Sequence, residues 1–323
     1  MNRTVRNSIW SLVAVAVVLC IASFLVGNYM CSYALLPEEH GNDLAGDREK
    51  VDGRYPGIIA WYDSLRTDGV YRDSTLTGEG DCTLYYEYVP ASDPSDARGT
   101  AVVVHGYTDN HLCFLNLVRM YRDSLNFNVL VPDLHHHGLS EGDAVQMGWL
   151  DRLDAIRFLE TAHDIFEGDF LVMHGVSMGA ATTMMTSGEE LPEYVKAFVE
   201  DCGYSSVWDQ YRHNLKQMFG LPPFPVLHCA SLICSLRYGW NFKEASSVAQ
   251  LAKCTRPMMF IHGDDDDFVP TDHVYANYEA KTQGYKEIWL APGSAHAASY
   301  RDHTAEYVQR VRDFLAKVKE MER

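Results

Sequence analysis

Apolar and polar positions along this chain fall into short blocks of changing period, and these blocks predict its secondary structure. Short continuous apolar runs are typical of strands that are buried on both faces of a sheet. Such runs occur at 100–105, 127–131, 169–174, 194–200, 257–262 and 287–291. Apolar residues at helical spacing follow most of them, at 111–123, 149–164, 180–187, 271–282 and 303–319. This regular alternation predicts a mostly parallel central sheet with helices on both faces.

Two other stretches extend this pattern. Residues 71–77 and 82–89 alternate apolar and polar positions, which predicts a hairpin of two early strands, preceded by a short helix at 55–66. Residues 203–253 break the alternation, because ~50 residues of helical pattern without a strand exceed what a crossover helix needs. We expect a small helical cap there, over the carboxyl edge of the sheet.

The N-terminus differs in character from the rest of the chain. Residues 9–27 form an uncharged apolar run of 19 residues, and a helix of ~20 residues spans a bilayer core. Arg3 and Arg6 before the run and Glu38-Glu39 after it predict a cytoplasmic N-terminus and an outward-facing domain. We therefore predict a membrane anchor at 1–30, a spacer at 31–54 and a globular domain at 55–323.

A cleaved signal peptide is the alternative to an anchor, because Ser32-Tyr33-Ala34 loosely resembles a cleavage site. The protein would then be secreted, and both interpretations place the domain outside the cytoplasm. Eight cysteines permit disulfides in such a compartment, but buried free thiols fit the sequence equally well. The formal charge of −17 argues against nucleic acid as a partner.

A candidate nucleophile lies where a buried strand meets a helix. Gly175-Val176-Ser177-Met178-Gly179 is a G-x-S-x-G sequence, and it joins the run at 169–174 to the helical stretch that follows. In that context the turn projects the serine hydroxyl outward, and the glycines avoid collisions with neighbouring backbone. Ser177 is therefore the expected nucleophile of an acyl-transfer site, with the Met178 amide as one oxyanion donor.

Such a serine needs a base and an acid. His296 lies in a loop of small residues directly after the last predicted strand, at the same sheet edge as Ser177. The acid is less certain, since the strand at 257–262 leads into four consecutive aspartates, 264–267, and Asp201 follows the neighbouring strand. Spacing does not choose among these five carboxylates. The aspartate run lacks the spaced ligands of an EF-hand loop, so we do not expect it to bind calcium.

The second oxyanion donor should come from the loop after the strand at 100–105. His105-Gly106-Tyr107 begins this loop, and the glycine allows the backbone to approach a substrate, so Tyr107 N–H is the candidate.

The histidine triplet 135–137 suggests a metal site, but adjacent residues on a loop cannot easily face one ion. We therefore expect no metal or cofactor.

These motifs together resemble the α/β-hydrolase superfamily over residues ~55–320. They are most similar to exported or membrane-anchored bacterial hydrolases of the serine aminopeptidase and monoacylglycerol-lipase-like branch. The residues that carry the resemblance are His105-Gly106-Tyr107, 131–134 with 137–140, Met147-Gly148-Trp149, the 175–179 turn, 261–263 with Asp266 and Val269-Pro270, and Gly293 with His296. The resemblance implies Asp266 as the acid. His136 departs from the family pattern, because it stands where the family has glycine.

The resemblance also implies an α/β-hydrolase fold and a serine hydrolase that forms an acyl-enzyme. We expect a small carboxylic ester as substrate, with a short peptide as the alternative. An aminopeptidase would need a cap carboxylate for the substrate amine, for which Asp209 and Glu244 are available. A non-catalytic binding protein of the same fold is a third, less favoured interpretation.

Overall fold

The computed structural model describes residues 3–38 and 41–322. Eight strands lie in one sheet: β1 (Arg72–Thr77), β2 (Thr83–Val89), β3 (Thr100–Val104), β4 (Asn128–Pro132), β5 (Leu171–Val176), β6 (Val195–Asp201), β7 (Met258–Gly263) and β8 (Lys286–Ala291). The helices are α1 (Arg3–Leu35), α2 (Leu44–Arg54), α3 (Ile58–Thr67), α4 (Leu115–Arg119), α5 (Asp151–Phe166), α6 (Met178–Thr186), α7 (Val207–Phe219), α8 (Val226–Tyr238), α9 (Ser247–Leu251), α10 (Asp272–Ala280), α11 (Ser299–Asp302) and α12 (Thr304–Met321).

The strand order confirms the predicted α/β architecture. The sheet runs β1-β2-β4-β3-β5-β6-β7-β8, and β2 pairs antiparallel with β1 and β4 while all other neighbours are parallel. Strands β3, β4, β5 and β7 are buried at every position. This explains why their sequences are continuous apolar runs and do not alternate between apolar and polar residues. One apolar layer lies on each face of the sheet. Because strands β3 to β8 run parallel, their carboxyl ends all lie at one edge of the sheet.

Differences from the predicted elements are local. The stretch 111–123 is not one regular helix, because a 3₁₀ turn (His111–Phe114), α4 and a π-helical turn (Met120–Ser124) follow one another. The side chain of Asn110 caps the first of these turns by accepting from Leu112 N–H. The wider π-helical turn closes the segment through a bond from Leu125 N–H to the Met120 carbonyl.

The cap predicted at 203–253 consists of α7, α8 and α9. Ser206 and Ser246 cap the N-termini of α7 and α9, so the cap begins and ends with ordinary helix-start signals. Trp240 is buried and donates its indole N–H to Gln146 in the loop before α5. This bond and the buried ring fix the cap to the sheet domain.

Helix α1 is longer than the predicted anchor. It has 33 residues, and its apolar segment is long enough to cross a membrane, which makes it compatible with an anchor or a signal sequence. Gly27, Cys31 and Leu35 are buried, and they form one stripe at i, i+4 spacing that faces the cap helix α8. The last two turns of α1 therefore belong to the folded domain.

The predicted spacer at 31–54 also contains structure. Besides the end of α1, it holds helix α2, whose Val51 is buried in the apolar layer below the sheet. Glycines and acidic residues indicated a spacer, and no helix was predicted there. Asp43 caps the N-terminus of α2 and thereby offsets its weak helix propensity. Glu39, used above to predict the membrane orientation, lies outside the described residues. All eight cysteines are free thiols.

Candidate active site

Ser177 lies at the sharp turn between β5 and α6. Its backbone has φ 58° and ψ −116°, a sparsely populated conformation for a residue with a side chain. The turn is held by a bond from Ser177 N–H to the Asp201 carbonyl at the end of β6. The strain directs the hydroxyl away from the helix and toward the loops at the carboxyl edge.

Two glycines make this turn possible. A Cβ on Gly175 would lie 1.9 Å from the Gly179 carbonyl oxygen, and a Cβ on Gly179 would lie 2.2 Å from the Val104 carbonyl oxygen. Both contacts are with backbone, which cannot move aside as a side chain can. Any side chain at position 175 or 179 would therefore collide with backbone, as the G-x-S-x-G sequence predicts.

The structure brings Ser177, His296 and Asp266 together in one hydrogen-bonded chain. Ser177 Oγ lies 2.8 Å from His296 Nε2, and His296 Nδ1 lies 2.7 Å from Asp266 Oδ2. With the proton on Nδ1, His296 donates to the carboxylate and accepts from the serine hydroxyl. This arrangement can remove the serine proton during attack on an acyl carbon.

Asp266 is distinguished from its neighbours by burial. Asp264, Asp265 and Asp267 are exposed, whereas Asp266 turns inward and its Oδ1 accepts from the amides of Phe268 (3.0 Å) and Val269 (2.9 Å). Burial alone would raise the pKa of its carboxyl, but hydrogen bonds from His262 and His296 outweigh it and hold the pKa well below the ordinary value. The Asp266 carboxyl is therefore charged at neutral pH.

Asp201, the other candidate acid, has different partners. Its Oδ2 accepts from the Tyr307 hydroxyl at 3.0 Å and its Oδ1 from the Ser299 hydroxyl at 3.3 Å. Burial raises the pKa of its carboxyl despite these bonds. Asp201 therefore ties the end of β6 to α11 and α12, and its hydrogen bonds do not include His296.

The loop after β3 lies against Ser177. A Cβ on Gly106 would be 3.5 Å from Ser177 Cβ, so this glycine lets the loop approach the serine closely. Within the described chain, neither Tyr107 N–H nor Met178 N–H donates to a protein acceptor, and both residues line the cavity above Ser177. The structure therefore brings both residues to the cavity that contains Ser177, and their amides have no protein acceptor among the described residues.

Two buried histidines hold this loop. His105 Nδ1–H donates to the Gly106 carbonyl while its Nε2 accepts from Leu134 N–H, and burial lowers the pKa of the ring, so it stays neutral. His137 acts similarly, because its Nε2 accepts from Thr108 N–H. One member of the histidine triplet therefore orders the loop that carries Tyr107.

The other two triplet histidines have separate roles. His136 has φ 63°, the left-handed conformation that the glycine of the family pattern would adopt without strain, and it contacts the Gly142 carbonyl. His135 contacts Cys82. Among the described residues, Cys202, Asp266 and His296 each have a possible metal-ligand atom, and these three atoms lie within 4.8 Å of one another. Burial raises the pKa of the Cys202 thiol well above its ordinary value, which opposes the thiolate that metals bind.

A cavity of about 740 Å³ opens above Ser177 between the cap and the sheet domain. Its walls are mostly apolar and aromatic, including Tyr211, Phe219, Leu227 and Phe242 from the cap. Phe268 covers His296, with ring centroids 4.9 Å apart. The cavity thus offers an apolar volume directly at the serine hydroxyl.

Sequence reasoning missed one wall of this cavity. Tyr29, Met30, Tyr33 and Ala34 of α1 line it, although they were assigned to the end of an anchor and its spacer. A signal for their role exists, because the uncharged stretch continues past the 19-residue run and carries the i, i+4 stripe noted above. That stripe predicts a packed helix rather than a free one.

The strand order, the cap over the carboxyl edge and the serine at a strand–helix turn define an α/β-hydrolase of the serine esterase and peptidase superfamily. The expected fold and superfamily are confirmed. A sequence profile of the prolyl oligopeptidase family matches residues 134–322, and the chain belongs to that family.

Individual proteins resemble this chain in sequence or in fold. The uncharacterized protein YqkD of Bacillus subtilis is 30% identical over 223 residues, which cover 69% of this chain and 72% of YqkD. The Pyrococcus furiosus esterase Pf2001 has a similar fold, with a TM-score of 0.62 at 20% identity over 78% of this chain and 95% of the esterase. An acylaminoacyl peptidase of Pyrococcus horikoshii gives a TM-score of 0.55 at 16% identity, covering 79% of this chain and 43% of the peptidase.

Proposed function

We propose that this protein hydrolyses a carboxylic ester through an acyl-enzyme on Ser177. His296 serves as the base, Asp266 as the acid that fixes it, and the amides of Tyr107 and Met178 as the oxyanion hole. The observation that carries the proposal is the chain of short contacts from Ser177 Oγ through His296 to the buried Asp266 carboxylate.

The reaction follows from the positions of these groups. His296 Nε2 takes the hydroxyl proton as Ser177 Oγ attacks the ester carbonyl, and the negative charge on Asp266 stabilises the imidazolium that forms. The tetrahedral oxyanion accepts from the amides of Tyr107 and Met178. His296 then protonates the leaving alcohol, and water repeats the sequence on the acyl-enzyme to release a carboxylic acid. The mechanism uses side chains and amides of this chain alone.

The character of the cavity favours an ester over a peptide with a free amine. Among its described lining residues, the only carboxylate is Glu38, three residues after the end of α1. Asp209 pairs with Arg212 and accepts from Ser206, while Glu244 accepts from Asn241, and neither lines the cavity. An α-ammonium group would therefore be desolvated among apolar side chains without a partner from the cap.

A peptide whose amine is blocked is the second candidate substrate. Two findings favour it: the chain belongs to the prolyl oligopeptidase family, and its fold resembles an acylaminoacyl peptidase. An N-acylated residue carries no positive charge, so the apolar cavity would accept it as readily as an acyl ester.

Activity measurements separate these possibilities. A fluorophosphonate probe should label the folded wild-type protein and not Ser177→Ala, and absence of labelling would support a non-catalytic binding protein. We then expect p-nitrophenyl esters of graded chain length to be cleaved faster than N-acetylated and free aminoacyl anilides. Faster cleavage of the acetylated anilides would establish the peptidase instead.

We also propose that α1 stays attached as a single membrane span, with the N-terminus in the cytoplasm and the hydrolase domain outside. The burial of Cys31 and Leu35 against the domain supports retention of the helix. Protease added to intact cells should degrade the domain, whereas a protected domain would contradict this orientation. A mature N-terminus near Ala34 would instead show that the segment is a cleaved signal.

A further inference from the structure

The end of helix α1 is tied to the catalytic loop as well as to the cap. The Tyr107 hydroxyl donates to the Ala34 carbonyl at 3.0 Å, and Val145 N–H donates to the Leu35 carbonyl at 2.9 Å. A Cβ on Gly27 would lie 2.5 Å from Cys229 Cβ, so α1 and α8 approach each other closely at this glycine. The helix that leaves the membrane is thus held rigidly beside the residue that carries an oxyanion donor.

The length of α1 sets the height of the cavity above the membrane. Its 19-residue apolar run, 9–27, measures roughly 28 Å as a helix, close to the ~30 Å hydrocarbon core of a bilayer. Tyr29 and Tyr33 then lie roughly 3 and 9 Å beyond the hydrocarbon boundary. This is the level of lipid headgroups, where glycerolipids carry their ester carbonyls. The cavity wall formed by these tyrosines therefore begins at the depth of lipid ester bonds.

The tip of the cap is apolar and faces the same level. Residues 217–236 contain no Asp, Glu, Lys or Arg. Within this stretch Phe224 is 71% exposed and Met218 55% exposed, and the Phe219 ring contacts Tyr33 with centroids 5.6 Å apart. The N-terminal end of α8 crosses α1 at Gly27, the last residue of the apolar run, so the loop before α8 lies at the hydrocarbon boundary.

From these observations, and resting on the ester hydrolysis proposed above, we propose that the substrate is a long-chain lipid ester that remains in the bilayer. The cap tip, residues 218–226, inserts into the membrane interface beside α1. The lipid acyl chain enters the cavity along Tyr29 and Tyr33, and its ester carbonyl reaches Ser177 without leaving the interface. The acyl chain thereby exchanges one apolar environment for another, so that extraction into water does not limit the rate.

Full-length enzyme in phosphatidylcholine vesicles provides the test. Two fluorogenic substrates are compared: 4-methylumbelliferyl palmitate dissolved in the bilayer, and 4-methylumbelliferyl acetate in the water phase. Phe224→Glu places a charge on the cap tip, outside the cavity lining. Tyr275→Glu, an exposed aromatic on α10 that is 46% exposed, is the matched control.

We expect Phe224→Glu to lower palmitate hydrolysis by about 5-fold or more, since the variant loses the apolar ring that would be buried in the membrane interface. Acetate hydrolysis should stay unchanged. Tyr275→Glu should leave both rates unchanged. A second variant, Gly27→Leu, should also lower palmitate hydrolysis, because its side chain would collide with Cys229 and push α1 away from α8. Ala22→Leu, on the exposed face of α1, should not lower it.

Each contrary result has a distinct meaning. Equal rates for wild type and Phe224→Glu on the bilayer ester, or an equal loss on both esters, would overturn the lipid-entry proposal alone. Absence of acetate and palmitate hydrolysis above the Ser177→Ala background would overturn ester hydrolysis itself, and the lipid substrate with it.

Discussion

Asp266→Asn removes the charge of the proposed triad acid while keeping its shape. The structure dictates how the asparagine must lie, because Asp266 Oδ1 accepts from the amides of Phe268 and Val269. The asparagine carbonyl will keep these bonds, and its NH₂ group will face His296 Nδ1. An N–H donor there forces the histidine proton onto Nε2, which can then no longer accept from the Ser177 hydroxyl.

The expected loss is large, and it falls on catalysis rather than on folding. A wrong histidine tautomer in a serine triad lowers kcat by ~10⁴-fold, which corresponds to about 5.5 kcal/mol of lost transition-state stabilisation. The measurements are kcat on a soluble short-chain ester, the rate of fluorophosphonate labelling, and the thermal unfolding temperature. We expect kcat and the labelling rate to fall together while the unfolding temperature changes little.

Asp201→Asn is the matched control, because Asp201 is also a buried aspartate and lies at the end of the neighbouring strand β6. Its partners are the hydroxyls of Tyr307 and Ser299, of which one can donate to the asparagine carbonyl and the other can accept from its NH₂ group, so most activity should remain. The assignment is refuted if Asp266→Asn retains more than about a tenth of wild-type kcat, or if Asp201→Asn loses as much activity as Asp266→Asn.

Three further predictions concern stability and packing. Burial raises the pKa of Asp151 to about 7. The folded protein therefore keeps a proton on Asp151 that the unfolded chain releases near pH 4. The contribution of this one group to the free energy of unfolding falls by about 1.4 kcal/mol per pH unit as pH rises toward 7. Asp151→Asn should remove this fall, so a melting-temperature difference between variant and wild type that does not grow with pH would contradict it. Gly179→Ala should abolish fluorophosphonate labelling and lower the melting temperature, because its Cβ would meet the Val104 carbonyl oxygen at 2.2 Å, whereas Gly53→Ala, with no atom within 4 Å, should do neither. The Cys31 and Cys234 thiols contact each other across α1 and α8. A thiol oxidant should thus join them with loss of two hydrogens, detected as a linked peptide by mass spectrometry and absent in Cys31→Ser; failure to form this link in wild type would contradict the packing of α1 on α8.

The alternation of strands and helices was predictable because the central parallel strands, β3, β4, β5 and β7, are buried at every position and have continuous apolar sequences. The Ser177 turn was predictable for a related reason, since two glycines around a serine between such a run and a helix have few other structural uses. Both signals are local in sequence. Both can be recognised without knowing which strands and helices become neighbours in the fold.

The acid could not be selected in the same way. Asp264 to Asp267 are identical in type and adjacent, and only the tertiary turn that buries Asp266 separates them. Resemblance to known hydrolases pointed to Asp266, whereas spacing did not. The role of His137 was hidden for the same reason, because its partner Thr108 lies in a distant loop.

The contribution of α1 to the cavity was missed because membrane spans and packed helices share the same apolar composition. Hydropathy alone ends the helix near Gly27, where the strongest apolar run stops. The uncharged stretch continues past Gly27, and its last turns pack on the folded domain, so a single apolar helix contains both an exposed part and a packed part. Only the i, i+4 stripe of Gly27, Cys31 and Leu35 distinguishes the packed part.

The bond from Tyr107 to Ala34 has a practical consequence for work on this enzyme. Removal of the apolar helix by a cut before Pro37 would look harmless from the hydropathy profile. Here it would remove Tyr29, Met30 and Tyr33 from the cavity wall and leave the Tyr107 hydroxyl without its acceptor. A shortened enzyme would thus report the chain-length preference of a different cavity, and substrate screens should use the intact protein.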